Sequence, residues 1–192
     1  MEIDEQIIEM KKLQKKEQYH SIYTGMYIKD EVIHFSPIHL FRDKIKIYSP
    51  DQFIDMPLSV AKFKYPSEQR PEIIKTSLDT ATNMAFNLLN IPLKPNETKN
   101  MTAQYKTIFK NMNPSYQFFD EAVENIGNTT VSWFDFKSYA MDDQLYNLLF
   151  ITTAAGMTLH GIFNCVFGDY AEWKEAFHQM MMSVEDLTER KG

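Results

Sequence analysis

Five histidines, one cysteine and two groups of carboxylates are the residues through which this chain could do chemistry. Their spacing decides what chemistry is open to them. His34 and His39 stand five apart across Pro37, a poor interval for two ligands on one element, and a protein-held metal needs three or four donors brought together. With His20, His160 and His178 scattered along the rest of the chain, the histidines read as strand or surface residues and no metal is expected. Cys165 lies in FNCVF with no basic neighbour to lower its pKa, so it reads as a buried structural thiol. A Cys165–His160 pair is disfavoured, because residues five apart on one strand point to opposite faces. Asp120, Glu121 and Glu124, and separately Asp142 and Asp143, are the carboxylates that acid–base chemistry could use, yet nothing around them signals the burial that tunes a carboxyl for that work. They read as turn and solvent residues. Glycine totals six, and there is no Gly-rich phosphate loop, nucleophile elbow or His-Glu-x-x-His. The expectation is a protein without catalytic residues or cofactor.

A second kind of chemistry is recognition. In KYPSEQRPEII, residues 64–74, Pro66 and Pro71 fix their own backbone angles and restrict the residues before them. The segment is thus a stiff connection into a strand, either a rigid turn alone or a docking loop. Tyr65 and Arg70 are its candidate anchors, since rigid loops position binding groups at low entropic cost and both residue types are frequent at interfaces. Trp133 and Phe136, aromatic residues of a strand, are the other candidate contacts. Met180-Met181-Met182 resembles an adaptable apolar surface, although helical spacing assigns at least Met180 to the core.

The elements that must position these residues follow from periodicity. Ile3, Ile7, Met10 and Leu13 mark an amphipathic helix over 3–18, whose stripe must be covered by the domain's own surface or by a partner. IYTGMYI and EVIHFS flank Lys29-Asp30 as a hairpin, and KIKIYSP alternates as a half-buried strand. PLSVAKFKY reads as a short helix with Pro57 at its first position, followed by strands EIIKTSL and NMAFNLL. A helix opening at Asn96-Glu97-Thr98 carries Met101, Tyr105, Ile108, Phe109 and Met112 on one face and ends at Pro114. Four strands then follow over 115–167, separated by Gly127-Asn128, Met141-Asp142-Asp143 and Ala155-Gly156. Within them Val131 and Trp133 face one way and Phe134 and Phe136 the other, so both faces of the sheet need helices. Asp169 and Glu172 have capping-box spacing before a last helix with Trp173, Phe177, Met180, Val184 and Leu187. The expected fold is α+β: an antiparallel β-sheet sandwiched between helices, with residues 1–20 as a helical arm and 21–192 as one domain.

At 192 residues, 44% apolar and 14% aromatic, the chain can bury a full core without staples. A net charge of −6 argues against nucleic acid and anionic membrane surfaces as partners. The acidic start lacks the features of a secretory signal, and LYNLLFITTAAGMTL falls short of the roughly 20 residues of a membrane span. With a single cysteine, the expected location is cytoplasmic.

The order of KYPSEQRPEII, NMAFNLL, the mid-chain helix, the four strands with DDQLYNLLF and LHGIFNCVF, and the closing EWKEAFHQMMMSVEDL resembles bacterial members of the PsbP-like (Mog/PsbP) group over residues 22–187. The resemblance implies a PsbP-like α/β/α sandwich and a non-enzymatic task. Its members include a photosystem II extrinsic subunit, a Ran-binding protein, envelope lipoproteins and chaperones of secretion effectors. No motif carries their contact residues onto this chain. The expected function is therefore a non-catalytic cytoplasmic protein-binding module, an adaptor or a secretion-effector chaperone, with Tyr65, Arg70, Trp133 and Phe136 as contacts. A protein partner such as an effector, or a second copy of the chain, would be bound. On this reading Trp133→Ala or Arg70→Ala weakens binding and leaves the fold largely intact. The alternative is a small-molecule or lipid carrier with an apolar cavity between sheet and helices, lined by Phe134, Phe136 and Phe163.

Overall fold

The computed structural model describes residues 3–68, 70–140 and 143–188, with the side chains of residues 3 and 4 outside that description. The chain opens with helix α1 (Ile3–Gln18), then a small antiparallel sheet of β1 (His20–Ser21), β2 (Gly25–Ile28) and β3 (Glu31–Ile33). The β2–β3 turn is Lys29-Asp30, with φ of 50° and 64°. Two consecutive left-handed residues are what a two-residue hairpin needs to match strand twist. Strands β4 (Phe35–Leu40) and β5 (Ile45–Pro50) form the next hairpin. Alternation in β5 buries Ile45, Ile47 and Ser49, as its two-residue period requires.

The main sheet collects β6 (Ile54–Asp55), β7 (Ile73–Thr76), β8 (Asn83–Pro92), β9 (Gln117–Ile126), β10 (Thr129–Tyr139), β11 (Gln144–Ala154) and β12 (Met157–Val166). Its order is β6-β7-β8-β12-β11-β10-β9, every neighbouring pair antiparallel. Helix α2 (Leu58–Lys64) precedes β7 and α3 (Thr98–Met112) precedes β9. Helix α4 (Tyr170–Met182) follows β12, and β13 (Glu185–Asp186) returns to pair with β5. The second turn of the meander falls partly on Met141 and Asp142, which lie outside the described residues; the other two turns are where the sequence puts them.

The two faces of β10 separate as expected. Val131 and Trp133 join the large core that α4 closes with Trp173, Phe177 and Met180, together with Ile45 and Ile47 of β5. Phe134 and Phe136 face the other way, under Met101, Tyr105 and Phe109 of α3. Helix α2 closes the rest of that second face over Ile74 and Ala85. At Gly161 of β12, paired across from Phe150, an added Cβ would sit 2.2 Å from the Phe150 ring. Glycine is what lets that ring lie across the strand.

Several expectations change. Helix α4 stops at Met182, so Val184 reaches the core from a turn and Leu187 follows a short strand. The Asp169 carboxylate makes no cap hydrogen bond; it accepts from Lys29 Nζ at 2.7 Å. Pro57 is the N-cap of α2, one place before the first turn. On α3, Ile108 and Met112 are exposed, because the helix buries only the narrower strip through Met101, Tyr105 and Phe109. Helix α1 meets the body through its basic side. Lys12 pairs with Asp30 at 2.7 Å, Lys16 with Glu172 at 3.0 Å, and Lys15 Nζ stands 5.3 Å from the Tyr27 ring. Ile7, Met10 and Leu13 consequently remain exposed. Among the described residues no helix is long and apolar enough to cross a membrane.

Candidate functional site

The four residues expected to make contacts do not share a surface. Tyr65 and Arg70 are half-buried on the proline-bracketed connection. The Arg70 Nε–H donates to the Tyr65 carbonyl at 3.4 Å and closes the segment on itself. The Tyr65 ring packs against the α2 cluster and its hydroxyl engages Asn164; burial raises the phenol pKa and that hydrogen bond opposes the rise. Beyond the connection, the Glu72 N–H donates to Asn87 Oδ1 at 3.0 Å, and the Leu88 N–H donates to Glu72 Oε1 at 3.4 Å. These side chains end the β7–β8 ladder, which is the structural task of a rigid turn.

Trp133 and Phe136 are withdrawn from the surface altogether, at 8% and 2% exposure and on opposite faces of β10. Trp133 Nε1 donates to Glu124 Oε1 at 2.6 Å, and the same oxygen lies 2.8 Å from His178 Nε2. Phe136 sits among Phe109, Tyr116, Phe118 and Phe134 with ring centroids 5.2–5.6 Å apart. Both are core residues, so neither can act as a surface anchor, and truncating Trp133 must disturb the fold. Met180 and Met181 are likewise fully buried. The lining imagined for a carrier also divides, because Phe134 and Phe136 lie under α3 while Phe163 lies on the α4 face, 5.3 Å from Phe150.

The carboxylates of β9 have structural partners above and below the sheet. From α4, Lys174 binds Asp120 at 2.6 Å and His178 binds Glu124; from α3, Lys106 binds Glu121 at 2.6 Å. The Lys106 hydrogen bond holds Glu121 below its usual pKa. At Glu124 burial pushes the pKa up, but the His178 and Trp133 hydrogen bonds outweigh it and the net shift is downward. Ionised, engaged carboxylates are the opposite of a tuned general acid. His160 stacks on Tyr105 at 5.0 Å, and burial lowers its pKa to about 4; burial raises the Cys165 thiol to about 12. The two lie on opposite faces of β12, as the five-residue interval requires. Among the described residues no three of His, Cys, Asp and Glu are grouped to hold a metal.

One cluster on this side of the molecule was not singled out in the sequence. The β9–β10 register shifts between Phe134 and Phe136, so Phe119 and Asp120 together oppose Asp135 in a β-bulge. Asp135 is fully buried. Its carboxylate accepts the Asp120 N–H at 2.6 Å and the Tyr146 hydroxyl at 2.9 Å, with Lys174 Nζ at 3.0 Å. Burial and then this charge raise the Tyr146 hydroxyl pKa. The pinned bulge sets Phe119 beside Phe167, at 6.2 Å, and Phe167 stacks on Tyr170 at 5.1 Å. Lys137 Nζ stands 4.1 Å from the Phe167 centroid and 5.6 Å from that of Tyr139, whose hydroxyl accepts from Gln117 at 3.1 Å. Phe119, Tyr139 and Tyr170 are 45%, 39% and 38% exposed. The available signal was the doublet Phe118-Phe119, which puts an aromatic ring on each side of one strand.

A groove of about 450 Å³ lies elsewhere, at the turn end of the meander, lined by Asn128, Thr129, Thr153, Val184 and Asp186 among others. Its lining mixes polar and apolar residues, and it is not a space between sheet and helices.

No protein-family model matches the sequence, and no curated protein matches it. Solved structures do. The solution structure of cyanobacterial PsbP from Synechocystis superposes with a TM-score of 0.55 at 11% identity, covering 79% of this chain and 92% of that one. A protein from Bacteroides thetaiotaomicron matches at 0.51 and 13% identity over 81% of this chain, which spans about half (49%) of that longer one. LpqN of Mycobacterium tuberculosis, described as involved in cell envelope biogenesis, matches at 0.48 and 12% identity over 86% and 96% of the two chains. At such identities the shared property is the architecture, an antiparallel sheet between helices built as in the cyanobacterial protein, and the fold of this chain is PsbP-like.

Proposed function

We propose that this protein is a non-catalytic protein-binding module whose contact surface is the cluster of Phe119, Tyr139, Phe167 and Tyr170. The observation that carries the reading is the contiguity of these rings. Phe167 meets both Phe119 and Tyr170, Lys137 lies against the Phe167 and Tyr139 rings, all four are partly exposed, and the buried Asp135 network pins the bulge that presents Phe119. Large, rigid aromatic residues inside a polar rim are the usual anchors of protein interfaces, and preorganisation lowers the cost of binding. Gln117, Lys137 and Asp120 supply that rim. The PsbP-like architecture is compatible with a non-catalytic task, and an adaptor or secretion-chaperone role in the cytoplasm is the specific form proposed.

The test is affinity capture from the native cytoplasm with the wild type and with Phe119→Ser/Tyr170→Ser, quantified by mass spectrometry. Truncating two anchors is expected to weaken a genuine partner by about 30-fold or more, from about 2 kcal/mol at a hot spot. A partner captured stoichiometrically by the wild type and lost from the variant supports the reading. Equal capture by both proteins removes this surface.

A further inference from the structure

Resting on the protein-binding reading, we propose that the outer edge of β9 receives an extended, basic or uncharged segment of a partner polypeptide as an eighth strand of the sheet. Among the described residues β9 is the last strand in the order and pairs on one side only, with β10, through eight of its ten residues. The opposite edge of the sheet is β6, two residues long. A two-residue edge offers almost nothing to pair with, whereas β9 offers a row of main-chain donors and acceptors that another extended backbone matches. From Glu121 to Ile126 the register with β10 is regular, giving about 20 Å of even edge at roughly 3.4 Å per residue.

The side chains of β9 favour a foreign strand of particular chemistry. Lys106 draws Glu121 towards α3, and Lys174 and His178 draw Asp120 and Glu124 towards α4, which fixes the strand while leaving its edge clear. Phe119 and Val123 are 45% and 46% exposed and available to cross-strand neighbours. The strand holds three carboxylates and no Lys, Arg or His, and the side chains of Asp120 and Glu121 remain 66% and 64% exposed. A second copy pairing here would gather carboxylates from both strands side by side, which is destabilising; a strand with Lys or Arg, or with no charge, is complementary. Phe119 belongs both to this edge and to the aromatic cluster, so a segment paired along β9 runs directly onto Phe167 and Tyr170.

The probe is a displayed library of random ten-residue peptides selected against the full-length protein, with hydrogen exchange of the protein read with and without the selected peptides. The expected result is enrichment of Lys and Arg alternating with β-branched residues and new protection in Gln117–Ile126. Replacing the Lys and Arg of a selected peptide by Glu should weaken it at least about 10-fold. Acidic winners, protection confined to other strands, or no enriched peptide would overturn the proposal. So would protection of β9 that rises with protein concentration alone, which would make a second copy the occupant. If the library fails while capture of a native partner still depends on Phe119 and Tyr170, the edge falls and the protein-binding reading stands.

Discussion

Removing Lys174 tests whether the bulge that presents Phe119 is held by charge. In Lys174→Met the Asp135 carboxylate, fully buried, keeps the Asp120 N–H at 2.6 Å and the Tyr146 hydroxyl at 2.9 Å but loses the ammonium at 3.0 Å. Breaking a buried ion pair by deleting one partner costs about 3–5 kcal/mol. Here the Lys174 side chain is 36% exposed, so water can replace part of what it supplied. With that discount the expected loss is about 2–3 kcal/mol, a fall of roughly 1 M in the urea midpoint for a protein with a slope near 2 kcal/mol/M. Urea unfolding followed by far-ultraviolet circular dichroism and tryptophan fluorescence reads it directly. Asp135→Asn/Lys174→Met, which removes the charge as well as its partner, should regain much of the loss, and the double-mutant cycle gives the coupling. A single variant within about 0.5 kcal/mol of wild type, or a double variant as unstable as the two singles added, would refute the reasoning.

Trp133→Ala should cost about 3–5 kcal/mol in urea unfolding, because it empties core volume and leaves Glu124 with His178 as its remaining hydrogen-bond donor side chain. His160 is neutral when folded, with a pKa lowered from 6.5 to about 4 by burial, so between those values the unfolded chain binds the extra proton. Stability is full above pH 6.5 and falls as pH drops towards 4, by up to about 3 kcal/mol from this group, levelling off below. His160→Phe, which preserves the stack on Tyr105 and removes the unpartnered Nε2, should flatten that part of the urea-measured pH profile. Gly161→Ala, whose Cβ would fall 2.2 Å from the Phe150 ring, should lose about 1–3 kcal/mol, and Phe150→Leu in the same chain should recover part of it.

What could be read in advance was whatever a single element decides. Alternation at Val131, Trp133, Phe134 and Phe136 places helices on both sides of the sheet without any knowledge of which strands pair. Lys29-Asp30 gives a hairpin for similarly local reasons. What depends on a partner element was hidden. Trp133 and Phe136 look like surface anchors until β9, α3 and α4 cover them, and Ile108 and Met112 look buried until α3 proves to touch the sheet along a narrower strip. The apolar stripe of α1 faces away from the body because Asp30, Tyr27 and Glu172 hold its lysines instead. Phe119 reached the candidate site through a register shift against β10, a property of two strands that neither carries alone.

Binding of a protein partner at the Phe119, Phe167 and Tyr170 cluster is what we propose. The most direct measurement places a photo-crosslinking phenylalanine analogue at position 119 and, as a control, at Phe63 of α2, which is 86% exposed and outside the cluster. After irradiation in the native cell, a discrete partner adduct from position 119 and none from position 63 is the predicted result. The same adducts from both positions, or none from position 119, would contradict it.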